Sequence, residues 1–185
     1  RREAWSRVGV IVDELSAPAL VLGLRARGHS FTAQVLRLHA DAREPCRLST
    51  RQLLRERLDW VAPARVFVCE NPAIVATAAD RPGTVDAPLV CIEGQPATAA
   101  RLLLGQLAAA GAELLYHGDF DWPGLTIANF VMREHGAHPW RMGAADYLAA
   151  DETRGIELRG APVMATWDPG LTAAMQARGL VVHEE

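Results

Sequence analysis

Along residues 63–142, short solid apolar runs alternate with longer stretches in which apolar and polar positions mix at helical spacing. The runs at 65–69, 87–92 and 112–117 have strand length, and turn-forming or acidic residues follow each, so they read as buried strands. Residues 138–142 read as a short fourth strand. Between them, Pro72 suits the first turn of a helix reaching about Asp80, residues 97–110 form a helix stopped by Gly111, and 123–135 form another. The order βαβαβαβ predicts an α/β fold, with a parallel sheet joined by right-handed crossovers and flanked by helices. Before residue 63 the pattern is different. Residues 3–15 read as an amphipathic helix interrupted by Ser16-Ala17-Pro18. Residues 19–27 are apolar and read as helical up to Gly28, and Ser49-Thr50-Arg51-Gln52 looks like a capping box opening a helix to about Trp60. The chain thus divides into a mainly helical segment, 1–62, and an α/β domain, 63–185. Residues 146–185 are less regular, with a turn at 167–170, a helix and a strand-like end, Leu180-Val181-Val182.

Composition narrows the class. Half of the 185 residues are hydrophobic, enough for one good core. No apolar run reaches the roughly 18 residues of a membrane span, and no signal peptide is visible. The chain opens on Arg1 rather than Met, which reads as a fragment or a processed chain. Cys46, Cys69 and Cys91 form no C-x-x-C pair, and Cys69 and Cys91 lie in strand runs, the pattern of reduced thiols in a cytoplasmic protein. The net charge of −3 hides a division. Residues 1–60 carry eleven Arg against seven acids, whereas 61–185 carry eight Arg against fifteen. A basic arm beside an acidic site suits a protein whose arm holds phosphates and whose acids hold metal; ordinary solvated Arg is the rival reading for any single residue.

The chemistry concentrates where strands end. The third run closes in His117-Gly118-Asp119-Phe120-Asp121-Trp122-Pro123-Gly124, which places two carboxylates one residue apart. The first run ends at Glu70 and the second at Glu93. In a parallel sheet these ends share one edge, where ligands of open α/β sheets bind. Clustered carboxylates repel unless a positive charge separates them, and a hard divalent cation such as Mg²⁺ takes oxygen ligands. The plain alternative is a set of solvated turn acids.

The segments Phe67-Val68-Cys69-Glu70-Asn71-Pro72, Cys91-Ile92-Glu93-Gly94-Gln95-Pro96 and His117 to Gly124 resemble a Toprim domain, with Trp140-Arg141-Met142-Gly143 extending the likeness. More narrowly they resemble the JetD-like subunits of Wadjet anti-plasmid systems, and more distantly the topoisomerase VI A subunit and the meiotic break-forming transesterase. The resemblance implies that Glu70, Asp119 and Asp121 bind Mg²⁺ or Mn²⁺. It implies a metal-dependent DNA endonuclease, acting as a homodimer with an SMC-like, condensin-type complex. Gly94-Gln95-Pro96 is similar to the Gly-x-Pro turn of the topoisomerase VI group. Asn71-Pro72 departs from the Gly that follows Glu in many Toprim domains, which leaves Glu93 as the rival first ligand. Topoisomerase relatives attack with a Tyr from a winged-helix domain before the Toprim fold, of which 1–62 would be a remnant, and here Tyr116 and Tyr147 lie within or after the Toprim region. Unless the nucleophile lies in sequence outside this chain, metal-activated water is the expected one.

Around this core stand secondary candidates. His117 is a phosphate contact or proton shuttle, or else a packed strand-end His. Glu184 is a second-metal ligand or part of a frayed terminus. Arg51 and Arg55 share a helix face and are candidate DNA-phosphate contacts. Trp122 and Trp140 are groove or core aromatics. Two other functions fit the same residues: a non-catalytic Toprim module for DNA binding or assembly, and a D-x-D phosphatase. The phosphatase fits poorly, because its Asp ends the first strand of the sheet and two strands precede this one.

Overall fold

The computed structural model describes residues 13–61, 65–81, 83, 87–150 and 155–184. Four strands form the parallel part of the sheet: β5 (Arg65–Cys69), β6 (Leu89–Cys91), β7 (Glu113–Tyr116) and β8 (His138–Pro139). Their order is β6-β5-β7-β8. Helices α3 (Pro72–Asp80), α4 (Thr98–Ala109) and α5 (Trp122–His135) follow β5, β6 and β7 in turn. The result is an α/β sheet flanked by helices, as the alternating pattern predicts, and it is consistent with the Toprim-like fold that the motif resemblance implies. β8 is shorter than expected.

The start of the chain overturns one expectation. Residues 19–27 are not helical: β1 (Ala19–Leu22) pairs antiparallel with β6 on one side and with β3 (Cys46–Leu48) on the other. Buried on both sheet faces, Ala19-Leu20-Val21 need no alternation, and so short an apolar run carries no period to separate helix from strand. The sheet is therefore six-stranded, β3-β1-β6-β5-β7-β8, and the segment before residue 62 contributes two of its strands. The helix opened by Ser49 has the expected reciprocal capping box but is only α2 (Thr50–Arg55). Trp60 lies instead in β4 (Asp59–Trp60), which pairs with β2 (Ala26–Arg27). A helix absent from the sequence expectation, α1 (Phe31–Ala42), is capped by Ser30. Most of the expected helix at 3–15 lies outside the described residues. At its end the Asp13 carboxylate accepts from Leu15 N and Ser16 N in a turn. The boundary at 62–64 also lies outside them.

Alternation along the strands assigns the two sheet faces. Val66, Val68, Val90, Leu114 and Tyr116 face the main core beneath α4 and α5. Leu20, Cys69 and Cys91 point the other way, onto Val75 and Ile74 of α3. All three cysteines are free and buried, as expected. One helix on one face and two on the other, with order β6-β5-β7-β8, is a doubly wound arrangement. Its topological switch point lies between β5 and β7, where such sheets place ligands.

Near the end, α6 (Ala144–Ala149) packs against α7 (Pro169–Arg178). The strand-like tail is held by two isolated bridges, Glu157 with Leu180 and Phe120 with Val182.

Candidate carboxylate site

β5 and β7 are in register, Val68 opposite Tyr116, so both strands end at the same level. His117 N donates to Val68 O at 3.0 Å and continues the ladder to the edge of the site. Beyond that edge Glu70 and Asp119 emerge side by side. The Glu70 carboxylate accepts the Tyr116 hydroxyl and the main-chain N–H of Asp119. Burial pushes the Glu70 carboxyl up to about 7; the Tyr116 bond opposes the rise, and the charges of Asp119 and Asp121 add to it. Tyr116 is itself wholly buried, and burial followed by the Glu70 charge holds its phenol well above its ordinary value. Gly118 makes this approach feasible. A Cβ there would lie 2.2 Å from Glu70 Oε1 and 2.6 Å from the Tyr116 hydroxyl.

Asp121 serves as the N-cap of α5, accepting from Gly124 N at 2.6 Å. Asp119 Oδ1 accepts from Glu184 N at 2.6 Å, and His183 Nδ1 stands 3.4 Å from Asp119 Oδ2. Glu184 is the residue on which the frayed-terminus reading fails. It is 3% exposed, and its Oε2 accepts from both Glu70 N (2.8 Å) and Asn71 N (2.9 Å). The Phe120–Val182 bridge and the Tyr147 hydroxyl on Leu180 O (2.6 Å) bring the tail to this position. Burial pushes its carboxyl up to about 7; the two amides oppose this, and Glu70 and Asp119 reinforce it.

The remaining candidates divide. Glu93 leaves the group: Arg47 takes both its oxygens at 2.8 Å and holds the carboxyl below its ordinary value. His117 borders the site, its Nδ1 3.2 Å from Trp140 O and its ring edge-on to Phe120 and Trp140. Burial pulls its imidazole below the usual value and favours the neutral form. Arg51 and Arg55 are exposed on α2, Arg51 facing Glu14 at 3.9 Å, and no contact among the described residues joins either to the carboxylates. Trp122 is buried, whereas Trp140 is 37% exposed, packs on Phe67 and carries the Arg141 guanidinium over its ring. Tyr147, like Tyr116, is fully buried.

Glu70, Asp119, Asp121 and Glu184 are hard oxygen donors gathered at one sheet edge, the donor chemistry of Mg²⁺ or Mn²⁺. Among the described residues, no three His, Cys, Asp or Glu side chains are already arranged as a coordination shell. Each of the four carboxylates accepts from a protein N–H or O–H, and a carboxylate has about four lone-pair sites, so these bonds leave acceptor positions for a cation.

Residues 46–185, about three quarters of the chain, match the family described as "Protein of unknown function C-terminus (DUF2399)". The chain belongs to this family. The DUF2399 region opens at Cys46, in β3, and so contains all four carboxylates of the site together with Tyr116 and Gly118. No curated protein matches the chain. Among its described residues, no helix is long and apolar enough to cross a membrane.

Two participants escaped the sequence reading. Tyr116 reads there as core, and it is core, yet its hydroxyl is also the partner of Glu70. The Gly that follows His117 was a usable signal, because a Gly between a strand end and an acid marks a close approach.

Proposed function

We propose that this chain is a metal-dependent nuclease of Toprim type that hydrolyses DNA phosphodiesters. The observation carrying the reading is the convergence of Glu70 with the Asp119/Asp121 pair at the β5/β7 switch point. The Toprim likeness of the motifs adds to it, and the burial of Tyr116 and Tyr147 leaves neither of them as an exposed nucleophile.

Glu70, Asp119 and Asp121 would hold Mg²⁺ or Mn²⁺, with Glu184 behind them. Such an ion, when bound, neutralises charge on a phosphodiester and lowers the pKa of attacking water. The protein's own share begins with Glu70, whose buried carboxyl, raised to about 7, would have to be the deprotonated carboxylate to serve as a ligand. The Tyr116 hydroxyl and Asp119 N–H orient it. Asp121, fixed at the N-cap of α5, sets the direction of the D-x-D loop. Exposed Trp140 and Arg141 at the rim, with neutral His117 below, offer a stacking face and a cation for a nucleic-acid strand. Arg51 and Arg55 are farther candidates for phosphate contact. By resemblance to JetD-like subunits, the setting is a cytoplasmic anti-plasmid defence complex of SMC-like type, with the nuclease as a homodimer.

The test is incubation of supercoiled plasmid with the purified protein and Mg²⁺ or Mn²⁺, alongside Glu70→Ala and Asp119→Ala. Linear or nicked product from the wild type alone supports the nuclease. Equal cleavage by the variants removes the site. A second reading, a Toprim-like module that binds DNA or assembles without catalysis, draws on one observation, that no ready coordination shell is found among the described residues. It expects DNA binding indifferent to both the cation and the two substitutions.

A further inference from the structure

Glu184 lies 114 positions from Glu70 in the sequence, yet it touches both strand ends of the site. Its carboxylate takes the main-chain N–H groups of Glu70 and Asn71, and its own N–H goes to Asp119 Oδ1. One residue thus joins the turn after β5 to the loop after β7. We propose that Glu184 is a positioning residue, a clip that sets the spacing between Glu70 and Asp119 and so the size of the cation site. The proposal rests on the cation-site reading above and adds to it that the far end of the chain completes the site.

Three features carry it. First, the group is 3% exposed, and a carboxylate is costly to bury without donors. Here two amides converge on one oxygen, Oε2. Second, those amides belong to the turn that launches Glu70 and to Asn71, the N-cap of α3, so the clip fixes main chain rather than a mobile side chain. Third, the tail has its own anchors, Phe120 N on Val182 O at 2.8 Å and the Tyr147 hydroxyl on Leu180 O. Phe120 lies between Asp119 and Asp121, so the same tail braces the D-x-D loop from a second point. Glu184 acts through Glu70 and Asp119 and need not touch a substrate.

Outer-shell residues that orient ligands typically cost about 10–100-fold in metal affinity when removed. The experiment compares wild type, Glu184→Ala and Glu184→Gln by Mn²⁺ titration and by hydrogen exchange at the Glu70 and Asn71 amides. Gln keeps an acceptor oxygen and loses the charge. The clip predicts that Glu184→Ala exposes both amides to exchange and weakens Mn²⁺ binding within that range, while Glu184→Gln retains protection and binds within a few-fold of wild type. If Glu184→Gln weakens binding as much as Glu184→Ala with the amides still protected, Glu184 acts by its charge and the proposal is overturned. Unchanged exchange in Glu184→Ala overturns it as well. Should wild type bind no Mn²⁺, the cation reading fails by itself, and the amide exchange still decides whether Glu184 is a clip.

Discussion

Replacing Gly124 with Ala sets two physical effects against each other with opposite signs. Gly124 lies in the first turn of α5, and helix propensity alone credits Ala with up to about 1 kcal/mol over Gly. The structure predicts the reverse. A Cβ at 124 would lie 2.2 Å from the main-chain carbonyl oxygen of Asp119 and 3.0 Å from Asp121 Oδ1. Side-chain tips yield cheaply, but this carbonyl belongs to a loop pinned by the Phe120–Val182 bridge and by Glu184 N on Asp119. Forcing extra volume into a packed site costs typically about 1–3 kcal/mol. A 2.2 Å approach to a pinned main-chain oxygen takes the upper part of that range, about 2–3 kcal/mol, so after the propensity gain Gly124→Ala should be less stable by about 1–2 kcal/mol. Urea denaturation of both proteins in EDTA measures it, with unchanged m-values needed for the comparison. A variant as stable as wild type, or more so, would refute the close approach of α5 to the D-x-D loop and leave Gly124 an ordinary helix position.

Further expectations follow from the same contacts. Gly118→Ala, which pushes a methyl group between Glu70 and Tyr116, should lose most Mn²⁺ binding in a titration while circular dichroism shows a folded protein; wild-type affinity would contradict that packing. For Glu70 the folded value near 7 stands above the ordinary 4.5, so the native state holds a proton that the unfolded chain releases between those values. Its contribution to stability is therefore greatest at pH 4.5 and below and is lost as pH rises to about 7. The loss is on the order of 3 kcal/mol. Glu70→Gln should accordingly match wild type near pH 5 and exceed it by an amount of that order at pH 8 in EDTA, as read by chemical denaturation at the two pH values. Equal stability at pH 8 would mean that burial, with the nearby Asp119 and Asp121 charges, does not disfavour the Glu70 carboxylate. Glu93→Ala breaks only a partly exposed pair with Arg47, so it should cost less than about 1 kcal/mol and leave Mn²⁺ affinity intact.

The parts of this molecule that were legible in its sequence are those set by neighbours in sequence. β5, β6 and β7 are solid apolar runs because both sheet faces are covered. The acids after them could be placed on one edge once the strands were taken as parallel. Asp121 followed by Trp-Pro-Gly announces a helix start. What remained hidden depends on distant partners. Ala19–Leu22 is a strand because β3 and β6 flank it, and nothing within those four residues says so. Glu93 looks as well placed as Glu70, but Arg47 at the sheet edge neutralises it across β1, a pairing that appears only once the antiparallel strands are known. Glu184 carries only the weak local signal of an acid that follows a strand-like run, 180–182. Its role comes from a tail that turns back to bridge Phe120 and bury a carboxyl beneath the turn after β5.

The central claim, that Glu70, Asp119 and Asp121 form a site for a divalent cation, is tested most directly by Mn²⁺ titration of the wild type, Glu70→Ala and Asp119→Ala at pH 8. Saturable binding by the wild type that each substitution abolishes or weakens severely is the predicted result. No binding by the wild type, or equal binding by all three folded proteins, would contradict it.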